Sequence, residues 1–551
     1  MISRTLRNPD IVLLTAEYWD DHPLSPAGVI ARVLEASGFS VGIIEKPESD
    51  KDFLSLGRPK LCFCVTAGSI DSMLNNYTPL KKRRAADIHA KTTRMPDRAI
   101  IVYCNSLKRL FKGCQLVIGG IEASLRRFAH YDYWDNALRK SILLDSRADI
   151  LVYGNGEKQV VQIAKKMRNK EKLDGIPGTC VLRKELPASF EVLPPFREVL
   201  ADKKRFCQMQ VMFSNNKNLA QEYDNNFVLQ YKYPEYETDD LDWLYSLPFT
   251  RKMHLDSLLK MAQFSVVTHR GCIGQCNFCS ITLHQGDRII SRSEDNILEE
   301  IRKLTKHPEF KGYVDDLGGP SANMYGMDCR RCGKDCLDCD TLDRSHSRLI
   351  AMMRKARQIP GVKKVFVRSG IRYDLAIDSE EYVRELASHH ISGSLKIAPE
   401  HFSEEVLGLM NKPGKRFDEF VLLFNSVNKN KNQALKYYLM LCHPGDDEKK
   451  VKALIKKASQ LGNVEQFQVF TPTPMSISSC MYWTGMNPFT MEKIKVIYDY
   501  KTKKKLKTLV MRGLVEKHDE DYQKKHTQTK GEGRAGSGAR PKQYSTKARK
   551  L

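Results

Sequence analysis

No stretch of this sequence approaches the ~18–20 consecutive apolar residues that a membrane-crossing helix requires, which argues against a helical membrane protein. An export signal is also lacking. The apolar run Ile11–Ala16 is short, leads into Glu17, Asp20 and Asp21, and has neither a basic lead nor a small-residue cleavage site. A soluble, cytoplasmic chain without a membrane partner is therefore expected. There is no internal repeat of fixed period, and no G-x-G-x-x-G at the double glycine Gly119-Gly120, so a dinucleotide site lacks its usual warrant. Disorder throughout is excluded, because 41% hydrophobic residues with 33 Gly and 23 Pro is ordinary globular composition.

What is present is length, thiols and positive charge. At 551 residues the chain exceeds the ~100–200 typical of one domain, so two or three are expected. Fifteen Cys in a cytosolic chain stay reduced, which makes their spacing the informative feature. Seven lie in two tight groups between Cys272 and Cys339. The others, Cys62, Cys64, Cys104, Cys114, Cys180, Cys207, Cys442 and Cys480, are scattered and read as core residues. The net charge is +23, but residues 501–551 hold 16 basic and 5 acidic residues and so carry +11 of it. That basic tail admits RNA as a partner, beside the plainer reading of a solvated charged face. After about residue 526 it is Gly-, Ser- and Lys/Arg-rich, and disorder is expected.

From residue 10 to about 170, β-branched runs alternate with helical patterns, predicting an α/β fold that begins with a Rossmann-like parallel sheet domain over 1–170. Its strand candidates are Ile11–Thr15, Val41–Glu45, Leu61–Val65, Ala99–Tyr103, Leu116–Ile118 and Ile150–Tyr153, with Ala27–Ala36 and Glu122–Phe128 among the helices. Residues 171–250 lose the alternation and carry six prolines, so they read as a connector. Six βα units then follow over 251–500, with strands at Phe264–Thr268, Tyr313–Asp316, Lys364–Val367, Ser394–Ile397, Tyr437–Leu441 and Gln466–Phe470. They predict a (βα)6 partial TIM barrel whose functional groups sit at strand C-terminal ends.

Directly after the first of these strands comes C-x3-C-x2-C, formed by Cys272, Cys276 and Cys279, with Phe278 before the last thiol. Three thiols in eight residues call for a soft metal. A structural zinc site wants a fourth ligand, which His269 or His284 would supply; a four-iron cube held by three thiols keeps one iron open. A second group, Cys329, Cys332, Cys336 and Cys339, suits zinc and an auxiliary iron–sulfur cluster equally well, with free thiols as the remaining alternative. Lys396, Glu400, His401 and His443 stand at later strand ends as candidates for ligand contact or for structural roles.

The thiol motif resembles that of the radical S-adenosylmethionine (SAM) superfamily. The resemblance implies that Cys272, Cys276 and Cys279 hold a [4Fe-4S] cluster whose open iron is chelated by SAM, with reductive cleavage giving a 5′-deoxyadenosyl radical. It further implies cofactor contacts from Phe278, from the turn Gly318-Gly319-Pro320, where Pro320 replaces the usual Glu, and from Ser369 and Arg372; a salt bridge to Asp374 is the structural alternative for Arg372. A reducing partner such as flavodoxin or ferredoxin goes with that chemistry. The strings Tyr131-Asp132-Tyr133-Trp134, Ser321–Met327, Phe470–Met475 and Tyr482-Trp483-Thr484-Gly485 narrow the likeness to the YgiQ-type proteins, which imply an activity type without a substrate. The first domain resembles cobalamin-binding domains whose D-x-H-x-x-G loop supplies a cobalt ligand. Here Asp20-Asp21-His22-Pro23-Leu24-Ser25 ends in Ser, which weighs against cobalamin and His22 as its ligand. Two alternatives stand beside SAM cleavage on an unknown substrate: methyl or methylthio transfer to RNA or protein, and a non-catalytic zinc-stabilised RNA-binding protein.

Overall fold

The computed structural model describes residues 1–84, 95–329, 336–412, 414, 416–429 and 433–510. The first unit is built on a ten-stranded sheet. Its parallel half runs, edge inward, Ile2–Ser3, Val41–Glu45, Ile11–Thr15, Cys62–Thr66, Leu116–Gly119 and Ile150–Val152. Successive residues of these strands enter opposite cores: Ile11 and Leu13 pack on one face with Val41 and Cys62, while Val12 and Leu14 pack on the other with Phe63 and Val65. Both faces are covered, which is why the strands read as continuous apolar runs.

The sheet does not stop at residue 170. Thr179–Arg183, Asn226–Gln230, Leu219–Tyr223 and Glu191–Val192 continue it, the first three in antiparallel pairing. The stretch 171–250 is thus part of the first unit's core rather than a connector, with Cys180, Leu219 and Val228 completely buried.

Ala99–Tyr103 is not a strand but the start of the helix Ala99–Leu110. Its buried positions, Ala99, Ile100, Tyr103, Cys104 and Leu107, follow helical spacing, and Val102 is left exposed. Its free first-turn amides are met by side chains from elsewhere, Ala99 N donating to Ser72 Oγ and Ile100 N to Glu122 Oε1, both at 3.1 Å. The segment Glu122–Phe128 holds only the single turn Ile121–Ser124.

The second unit is a succession of short parallel pairings. Val266–Val267 pairs with Leu317–Gly318, Tyr313–Val314 with Lys364–Val365, and Ser394–Glu400 with Ala434–Leu441, which pairs in turn with Val464–Val469. An isolated parallel bridge between Ile371, in the segment after the third strand, and Ile397 reaches the fourth. The helices Glu294–Thr305, Ser347–Gln358, Glu380–Glu385, Phe417–Val427 and Glu448–Leu461 pack around this curved wall. The basic segment begins in folded structure: residues 500–510 are helical, and Leu506 and Val510 are buried with Leu454 and Val469. The disorder expected after 526 lies outside the described residues. No helix among them is long and apolar enough to cross a membrane. The eight scattered cysteines are all buried, as core residues should be.

Candidate active site

At the head of the thiol loop Gly271 has φ +85°, and a Cβ there would lie 1.7 Å from the Arg288 carbonyl oxygen, so only glycine passes. The loop then presents Cys272, Cys276 and Cys279, each half-buried. Backbone amides point at two sulfurs: Gly274 N donates to Cys272 Sγ at 3.4 Å and Ile281 N to Cys279 Sγ at 3.5 Å. The segment after the fourth barrel strand braces the loop from outside. Asn277 donates through its backbone and side-chain amides to the carbonyls of Met410 and Leu409, both at 2.9 Å, and Asn411 donates to the Gln275 carbonyl at 3.0 Å.

Two cations belong to this loop's surroundings. Arg372 Nη1 is 3.7 Å from Cys276 Sγ, and its Nε and Nη2 hold Asp374 at 3.0 and 2.5 Å. Burial works against that charge, but Asp374 and the neighbouring thiols keep Arg372 above the ordinary guanidinium value. Arg372 thus takes the salt bridge considered for it and touches the thiol loop as well. Lys412, which sequence reasoning missed, pairs with Glu400 at 3.6 Å and favours the thiolates of Cys272 and Cys279. Burial outweighs it and raises both thiols, Cys279 to about 12, so a bound positive centre is what would keep them ionised.

Three soft donors, backbone amides aimed at sulfur and two nearby cations suit a polynuclear iron–sulfur group. Among the described residues no group of three or more His, Cys, Asp or Glu side chains is arranged to hold a metal ion. His269 and His284 each have a partner at Nδ1, while the buried Nε2 of His269 has no hydrogen-bond partner among the described residues. His269 Nδ1 lies 2.9 Å from Thr268 Oγ1, and His284 Nδ1 lies 3.1 Å from Ser124 Oγ of the first unit.

Gly318 and Gly319 are required by close packing. A Cβ on Gly318 would come within 2.5 Å of Ser369 Oγ, and one on Gly319 within 2.6 Å of the His269 ring. Asp316 ties this turn to the next strand end, accepting from Arg368 N at 2.7 Å and Ser369 N at 3.2 Å. Together with Pro320, the two glycines wall a cavity of about 480 Å³. The first unit contributes Ser25, the cap of the helix Pro26–Ala36, and the strand ends around Thr66, Gly119, Gly120 and Gly154, and the thiol loop's flanks, Arg270 and Ile281, also reach it. The two double glycines named from sequence therefore share one chamber. Its Arg270–Glu157 ion pair, 2.7 Å long and joining the two units, was not legible from sequence.

Phe278 meets the His443 ring edge-on at 6.4 Å. His443 is bound between the Pro444 carbonyl at 2.8 Å and Ser478 Oγ at 2.7 Å, while His401 accepts from Ser403 N at 2.9 Å, so both have structural partners. Lys396 is exposed. His22 is buried, with Nδ1 accepting from Leu24 N at 3.1 Å and Nε2 at 2.9 Å from the Gln263 carbonyl, so neither nitrogen is offered to the cavity. Of the second thiol group, Cys332 lies outside the described residues. Cys336 packs with Cys272 against one small core of Ile273, Met324 and Leu375, and Cys339 Sγ is 3.2 Å from Thr341 Oγ1. Cys329 is half-buried.

Comparison with known proteins follows the same division. The family models Radical SAM N-terminal, Radical SAM superfamily and a domain of unknown function (DUF3362) match residues 1–267, 266–458 and 465–536. A UPF0313 protein of Clostridium botulinum (strain Loch Maree / Type A3) is 42% identical over 550 residues, covering 93% of this chain and 85% of its own. One from Methanosarcina acetivorans is 42% identical over 565 residues, covering 91% and 76%. Among solved structures, the radical S-adenosylmethionine methyltransferase TsrM from Kitasatospora setae, with tryptophan substrate and a SAM analogue bound, matches with TM-score 0.53 at 15% identity over 86% of this chain and 77% of that one. The same enzyme with cobalamin and a [4Fe-4S] cluster gives 0.52 at 15% identity, over 86% and 78%. At that identity the likeness is one of fold. Relatives matched along nearly the whole length, with the three thiols inside the superfamily match, make this chain a member of the UPF0313, YgiQ-type family of radical SAM enzymes.

Proposed function

We propose that Cys272, Cys276 and Cys279 hold a [4Fe-4S] cluster and that the enzyme reductively cleaves SAM to methionine and a 5′-deoxyadenosyl radical, which takes a hydrogen atom from the substrate. The carrying observation is a loop with three thiols, and no fourth, whose flanks open onto the chamber walled by Gly318, Gly319 and Pro320. The chain's own contribution is to brace that loop through Asn277 and Asn411, to set Arg372 and Lys412 near the thiolates, and to close the chamber between two units. A small reducing protein of the flavodoxin or ferredoxin kind supplies the electron. Replacing the three cysteines by Ala is expected to abolish 5′-deoxyadenosine formation from SAM and dithionite under anaerobic conditions; undiminished product would refute the assignment.

The chamber also supports a second reading, methyl or methylthio transfer to RNA or protein, because TsrM shares this fold and has been seen with cobalamin bound. A corrinoid here would lack His22 as a ligand, since both its nitrogens are engaged. Corrin absorbance retained by the same anaerobic preparation after incubation with cobalamin separates this reading from the first. The Cys329–Cys339 group, whose Cys336 packs against the same small core as Cys272, suits a second cluster or zinc.

A further inference from the structure

A second concavity, of about 490 Å³, lies where the first unit meets the C-terminal segment. Its rings are Tyr133, Tyr482, Trp483, Tyr498 and Tyr500, and Lys81, Lys203 and Lys503 converge on it. Tyr133 belongs to the string Tyr131–Trp134, Tyr482 and Trp483 to Tyr482–Gly485, and Lys503 to the start of the basic segment, none of which the radical chemistry uses.

Among the described residues the three lysines have no acid of their own. None of them forms an ion pair there; they sit instead over aromatic faces, Lys81 4.7 Å from the Tyr133 ring centre, Lys203 5.2 Å from Trp483 and Lys503 4.6 Å from Tyr482. Lys503 is only 2% exposed and donates to the Tyr482 hydroxyl at 2.7 Å. Burial lowers it to about 8, which still leaves it mostly charged at neutral pH. The nearest carboxylates are engaged: Asp132 and Asp135 with Arg98, Asp202 at the cap of the helix Lys203–Met212, and Asp499 with Thr502 N. A buried ammonium held by rings and a hydroxyl alone is costly, and an anion entering the concavity relieves that cost. Tyr498 and Tyr500 are 52% and 39% exposed, so ring surface is open to a planar group.

We propose that this concavity binds a nucleotide unit of a single-stranded nucleic acid, the base stacking on Trp483, Tyr498 or Tyr500 and the phosphate lying among Lys81, Lys203 and Lys503. Stacking surface combined with a cationic rim is the chemistry of strand binding. An acidic protein would use the lysines but has no need of a ring-lined hollow, and inorganic phosphate would not use the rings. Residues 504–551, which follow Lys503 in the sequence, hold 14 basic and 5 acidic residues, a net charge of +9 that favours a polyanion. This proposal does not rest on the radical reading, because none of its residues belongs to the thiol loop.

The test is fluorescence anisotropy of short labelled single-stranded RNA and DNA of one sequence, titrated with the anaerobically prepared, cluster-loaded full chain over a range of salt. The double variant Lys81→Ala/Lys203→Ala is expected to bind about tenfold or more weakly and to flatten the plot of log affinity against log salt by about one. Trp483→Ala is expected to weaken both strands about tenfold through lost stacking. Both lysines are exposed, so an unchanged thermal unfolding curve verifies that the double variant is folded. Wild-type affinity and salt slope in both variants, or binding lost only when residues 511–551 are removed, would overturn the proposal.

Discussion

His22, His130, His269 and His443 are at most 2% exposed, and burial pushes each from near 6.5 down to about 3. Each folded value lies below the unfolded one, so the native state holds these rings neutral. Their contribution is complete above about pH 6.5 and is lost as pH falls from there towards 3. The urea midpoint is expected to drop between about pH 6.5 and 4.5 with an uptake of more than one proton on unfolding, and His130→Asn should make that drop shallower. A midpoint that stays flat through this window would contradict the burial of these rings. Arg372 illustrates the opposite balance, since Asp374 compensates its enclosure and keeps a fixed cation against Cys276.

The thiol loop depends on backbone geometry as much as on sulfur. Gly271→Ala would place a methyl group against the Arg288 carbonyl at a positive φ, so the loop must deform. The expected result is an iron content of about a tenth of wild type after anaerobic reconstitution, read by iron and sulfide analysis, while the other cysteines keep their burial; full iron loading would show that the turn tolerates the change. The thiol motif itself was legible because its spacing is local, and the barrel strands were legible because β-branched runs alternate there with helical spacing. Ile100-Ile101-Val102 misled by composition, since the next turn at Tyr103, Cys104 and Leu107 makes the segment a helix. In 171–250 the prolines obscured a hairpin that Asp224-Asn225 marks between Leu219–Tyr223 and Asn226–Gln230; Asp224 has φ +54°. Lys412 and Glu157 were out of reach for a different reason: they approach the loop from remote segments, and only the fold brings them there.

At the scale of the whole molecule, buried ion pairs mark where the two units meet and where the second unit folds on itself. Arg270 holds Glu157 with both side chains about nine-tenths buried, and Arg251 and Arg292 share Glu300. Glu157→Gln leaves the Arg270 charge enclosed without its partner and is expected to destabilise the chain by about 3–5 kcal/mol in urea unfolding. Replacing both residues by apolar ones of similar volume should recover much of that loss, and a single variant as stable as wild type would show that the pair is solvated.

The chamber between the units has a further consequence. Each partner supplies one wall, so a small change in the angle at which they meet resizes the space without altering any residue inside it. Relatives can then acquire different appetites for small molecules through substitutions along the seam, at positions no bound compound would ever touch.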